Sequence, residues 1–225
     1  PFFYSLAFGL FYFLIPTRII ARLLLTGLYA LGLYSLYLSQ NIFVVASIRT
    51  IQLLSGARIV SFVIALISYF FLGNIVFSLH GSLVFSMLCI FAFSYPLVYH
   101  SLWSYSLAKN DLSLQTWALS LAICLTEISG ILWFWPSTPT VIALCLSGIF
   151  YTILGLSHVW IEKKLFRNVL WEYVWVGFAV FFVLLLFVLS SVGRVSTQLK
   201  DAKFTKRIGR GKATPIFFNK GVSKI

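Results

Sequence analysis

Residues 59–79 read IVSFVIALISYFFLGNIVFSL and contain no charge. Coiled as an α-helix, such a stretch is about 31 Å long at ~1.5 Å per residue, the thickness of a bilayer's hydrocarbon core. An amphipathic surface helix shows one polar face. This one is apolar all round, relieved only by small polar groups such as Ser61, Ser68 and Asn74. It reads as a transmembrane span.

Working outward, the same reading recurs. Residues 22–38, 82–107, 114–135, 139–160 and 170–193 form further long apolar segments, and 2–15 forms a shorter one. Pro16, the turn His80-Gly81-Ser82 and the pair Trp135-Pro136 divide them. The chain opens at Pro1 inside an apolar run, so the first helix is expected to be truncated. No basic region followed by a small-residue cleavage site supports a signal peptide. Residues 41–58 differ: Arg49, Gln52 and Arg58 interrupt an apolar beginning, which predicts an interfacial or re-entrant segment and not a span. The fold expected is all-α: a polytopic transmembrane bundle of six or seven spanning helices plus that interfacial segment, occupying residues 1–193.

Composition agrees. The 225 residues are 60% hydrophobic and 10% charged, with a mean hydropathy of +0.98. Soluble domains carry roughly 25% charged residues, because their surfaces need polar cover. Six of the seven tryptophans, Trp103, Trp117, Trp133, Trp135, Trp160 and Trp171, fall near segment ends, with Trp175 a turn inside. That is where amphipathic rings meet headgroups.

Lys and Arg number 17 against 5 Asp and Glu, a formal +12. More than half of the cations lie from Arg194 onward. Residues 194–225 are expected to form a basic, poorly ordered tail. Arg194, Lys200, Lys203, Lys206 and Arg207 are expected to contact anionic lipid headgroups. With no recognisable domain around it, the tail does not read as a nucleic-acid module. Orientation stays open. The loops near 39–58, 108–113 and 161–169 are positive, and so is the opposite side through Arg18, Arg22 and the tail. The short loops favour the first face as cytoplasmic.

One acid lies deep in a span, Glu127. An ionised carboxylate there costs about 3 kcal/mol on insertion scales, so Glu127 should be protonated or partnered. Ser120, Cys124, Glu127 and Ile131 share one helical face, which predicts that Glu127 points into the bundle. Pro96 frees the carbonyl of Ala92 at a similar depth, and Asn74 lies at a comparable level on the preceding segment. Glu127, Asn74 and Pro96 are therefore the candidate intramembrane polar site. Glu172 reads as an acid on a helix N-terminus, beside Lys163, Lys164 and Arg167. His158 reads as a satisfied interfacial residue, and Gly148, Thr152 and Gly155 as a close-packing stripe.

No catalytic constellation emerges. There is no H-E-x-x-H, no Gly-rich phosphate loop and no aspartyl dyad, since Asp111 and Asp201 are the only aspartates. The last span lacks a lysine for a retinal Schiff base. Cys89, Cys124 and Cys145 sit in apolar runs without C-x-x-C spacing. No metal site and no cofactor is expected.

Asn41-Ile42-Phe43-Val44-Val45-Ala46, Arg58 before the third segment, Glu127 ahead of Trp135-Pro136, and Trp171-Glu172-Tyr173 carry a resemblance. Over residues 41–193 the chain resembles an uncharacterised family of polytopic bacterial membrane proteins, a domain of unknown function. The resemblance implies a bacterial inner membrane and no particular activity. The expected role is non-catalytic, helping to assemble or organise a membrane complex with protein partners in the bilayer. The alternative is a small proton-coupled transporter or channel using Glu127, and a lipid-acting enzyme stands third.

Overall fold

The computed structural model describes residues 1–15, 19–46, 53–106, 112–161, 171–179, 182–183 and 185–186. Six helices follow one another: α1 (Phe2–Leu14), α2 (Ile19–Ala46), α3 (Leu54–Ser78), α4 (Leu83–Ser106), α5 (Leu112–Trp133) and α6 (Pro139–Ile161). Residues 171–179 are helical as well. No strand occurs among the described residues. Five helices, α2 to α6, are long and apolar enough to cross a membrane. The chain is an all-α membrane protein. It divides into two units, Pro1–Leu184 and Leu185–Ile225. The fold described here is that of the first. The basic tail, with Arg194, Lys200, Lys203, Lys206 and Arg207, lies outside the described residues.

Local chemistry sets the helix ends. After α3, His80 adopts a left-handed backbone (φ 47°), which turns the chain, and its Nδ1 lies 2.8 Å from the Ser78 carbonyl. Ser82 then opens α4: its hydroxyl accepts the Phe85 N–H at 3.3 Å, the geometry of an N-cap. Pro139 is the first residue of α6, where a missing N–H does no harm.

Packing is antiparallel between chain neighbours, and α3 is the hub, contacting α1, α2, α4 and α6. Its Tyr69 is fully buried, stacks on Phe150 of α6 at 4.1 Å and meets Phe93 of α4 edge-on at 5.2 Å. The Tyr69 hydroxyl bonds Ser94 at 3.1 Å, so the polar tip of this apolar body is satisfied. On the outer side of α3, α1 stacks Phe11 on Phe71 at 4.2 Å. α4 and α5 form the most extensive pair.

The structure corrects the expected interfacial segment at 41–58. Residues 41–46 continue α2, and 54–58 begin α3; residues 47–52 lie outside the description. The physical reason is packing. Leu36, Ser39 and Phe43 are all buried and recur at helical spacing on one face. No glycine or proline breaks α2 between Leu36 and Ala46, so the face runs on to the end of the helix. Arg58 interrupts the apolar run for a separate reason: it bonds the last carbonyls of α4.

Candidate functional site

The two sides of α5 decide where its acid points. Leu114, Ala118, Ala122, Leu125, Ser129 and Leu132 are buried, and this is the side turned to the bundle. Met87 of α4 closes on Gly130, where an added Cβ would lie 3.2 Å from the Met87 methyl. Ser120, Cys124, Glu127 and Ile131 do share one face, as their spacing predicts, but all four are exposed. The expectation that Glu127 points into the bundle is thus replaced: it stands on the outer side of α5. It is six residues from Trp133, about 9 Å at ~1.5 Å per residue, and so well inside the span.

The three candidate residues do not converge. Asn74 is buried, donates from Nδ2 to Thr140 of α6 at 3.1 Å and accepts the Ser78 hydroxyl at 3.2 Å. Pro96 lies half-buried within α4, and Ala92, whose carbonyl it frees, is exposed. Among the described residues, Glu127 has no hydrogen bond or ion pair. The hydroxyls beside it are committed locally: Thr126 to the Ala122 carbonyl at 2.8 Å and Ser129 to the Thr126 carbonyl at 2.6 Å. Glu172 is exposed on the helical stretch 171–179, and the cations expected beside it lie outside the described residues.

A second polar cluster forms where the C-terminal turns of α4 and α6 meet the N-terminal turns of α3. The last carbonyls of a helix lack partners within it. Arg58 of α3 supplies them for α4, donating from Nε to Ser104 and from Nη2 to Tyr105, both at 3.1 Å. A cation at this negative helix end is favoured electrostatically. The guanidinium also lies 5.0 Å from the centre of the Tyr105 ring. Tyr105 in turn stacks on His158 of α6 at 3.7 Å and 10°, and Phe62 meets the same imidazole edge-on at 5.3 Å. His158 is buried and its Nε2 pairs with Ser101 at 3.0 Å. At the same level, Gln40 of α2 donates to His100 of α4 at 2.8 Å.

These contacts close the polar groups on one another and hold four helices in register. The reading of His158 as a satisfied residue agrees with its partners. What sequence reasoning missed is the role of Arg58 as the cap of α4. The available signal was a charge one turn into an apolar helix, which demands a partner with free acceptors. Among the described residues, no three His, Cys, Asp or Glu side chains gather as a metal site.

Residues 49–188 match the family described as a protein of unknown function (DUF5656). The match spans more than half of the chain, and the chain belongs to that family. It takes in α3 to α6 and leaves α1 and α2 outside. No curated protein and no solved structure matches the chain.

Proposed function

We propose that this membrane protein is a non-catalytic organiser of a membrane assembly, and that the outer face of α5 receives a transmembrane helix of a partner protein. The observation that carries the reading is Glu127, a carboxyl exposed on the side of a span. Hydrocarbon offers such a group no hydrogen bond, and leaving it unmet costs about 3 kcal/mol on insertion scales. A neighbouring helix that presents a donor or a cation removes that penalty and gains specificity from it. Cys124 and Ser120, about one and two turns away, are small enough for close helix approach. The setting proposed for this assembly is a bacterial cytoplasmic membrane.

A photoreactive amino acid in place of Cys124, irradiated in the intact membrane, tests the docking face. A second probe at Leu88, exposed on α4, serves as the control. The expected result is a protein adduct at position 124, kept in Glu127→Gln and lost in Glu127→Leu, with lipid adducts alone at 88. Lipid adducts alone at both positions would refute the reading.

A further inference from the structure

α1 and α2 touch sparingly, and a cleft of about 300 Å³ opens between them. Ligand-sized pockets begin at about this volume. Its walls are Phe8, Gly9 and Tyr12 of α1 and Leu25 and Tyr29 of α2, with the Ser5 and Thr26 hydroxyls. An added Cβ at Gly9 would meet nothing within 4 Å, so the space beside it is open.

One turn along α2 from Leu25 and Thr26 stands Arg22. Its guanidinium lies 5.0 Å from the centre of the Tyr12 ring, on the wall of the cleft. Its Nε is buried and, among the described residues, has no hydrogen-bond partner. No acid precedes Asp111 in the chain, and among the described residues Arg22 has no ion-pair partner. Arg22 lies in the first turn of α2, at the positive end of the helix dipole and at the edge of the span. The residues around it, Ile19, Ile20, Leu23 and Leu24, are strongly exposed apolar side chains. A cation without an ion-pair partner among the described residues thus tops an apolar, hydroxyl-bearing cleft.

We infer that the α1–α2 cleft is a binding site for an anionic phospholipid, with the phosphate held by Arg22 and an acyl chain seated along Phe8, Tyr12 and Tyr29. The charge selects the headgroup, and a planar guanidinium pairs with two phosphate oxygens at once. The cleft selects the chain. Zwitterionic lipid brings the same tails without the net charge, and inorganic phosphate brings the charge without the tail.

The test uses the delipidated full chain in detergent and phosphatidylglycerol with a photoreactive acyl chain. Phosphatidylcholine and inorganic phosphate are the competitors. Adducts are expected on the peptides that carry Tyr12 and Tyr29. Phosphatidylglycerol should be retained roughly tenfold less by Arg22→Gln, a loss of about 1.4 kcal/mol, with partial recovery in Arg22→Lys. Gly9→Leu should fill the cleft and reduce the adducts while leaving Arg22 in place. Neither competitor should displace the lipid at equal concentration. Adducts spread evenly over the outward faces of α2 to α6 would overturn the inference. So would full competition by inorganic phosphate, or wild-type retention in both Arg22→Gln and Gly9→Leu.

Discussion

Arg58 does two things with one side chain: it answers the last carbonyls of α4 and it faces the Tyr105 ring that stacks on His158. Hydrogen bonds to a charged group contribute about 1.5–3 kcal/mol each way they are measured, and a freed buried acceptor adds its own penalty. Arg58→Ala should therefore destabilise the bundle by ~2 kcal/mol in reversible unfolding from detergent, with Arg58→Lys intermediate because it loses the planar fork. His158→Phe should cost less than His158→Ala, since it keeps the stack on Tyr105 and gives up only the bond to Ser101. Arg58→Ala and His158→Ala should combine non-additively, because both act through Tyr105; strict additivity would mean that the cluster is not one unit. Glu127 predicts the reverse pattern. Glu127→Leu removes an acid from a lipid-facing position, so the isolated chain should insert and fold at least as well as the wild type. The same change should abolish partner docking. A loss of stability in the isolated chain would mean that Glu127 holds the bundle together.

At the scale of the element, the pairing of α1 with α2 rests on few contacts. Tyr4 reaches the carbonyls of Leu28 and Tyr29 on α2 at 3.1 and 3.2 Å, and Gly32 gives it room. A Cβ at Gly32 would collide with the Tyr4 hydroxyl. Gly32→Ala should detach α1 from α2, read as faster proteolysis within α1 while α3 to α6 stay protected. The spans were legible in sequence because the demand of hydrocarbon is local: twenty uncharged residues must satisfy their own backbone. Which face of α5 turns inward was not. In a soluble helix, polarity marks the outer side. In a bilayer the lipid is as apolar as the interface, and small residues occur on both faces. Ser120 and Cys124 beside Glu127 have the same character as Ala118, Ala122 and Ser129 on the buried side. Spacing therefore grouped the residues correctly and could not say which group met α4. The end of α2 failed for a related reason. Arg49 and Gln52 marked a polar connection, but nothing in the residue types showed that Phe43 would be fully buried and draw the helix on to Ala46.

At the scale of the molecule, α2 to α6 are each long and apolar enough to cross, and successive crossings are expected to put the connections after α2, α4 and α6 on one side and those after α3 and α5 on the other. The paired rings of Trp117 and Trp160, 4.9 Å apart at the adjoining ends of α5 and α6, agree with that alternation. Single cysteines in a cysteine-free background should report it. Ser55→Cys and Ser113→Cys should react with an impermeant maleimide from one side of sealed vesicles, and His80→Cys and Thr138→Cys from the other. Any exchange between the two pairs would break the alternation expected of α2 to α6. Central to the molecule is an intramembrane acid that faces out of its own bundle, toward the partner proposed above. Carbodiimide labelling, read by mass spectrometry, tests this most directly, because the reagent is apolar and attacks protonated carboxyls in hydrocarbon. The purified chain in liposomes should be modified at Glu127, and the chain in its native membrane should be protected there. An unmodified Glu127 in the purified chain would contradict its outward position, and equal modification in both settings would contradict the partner.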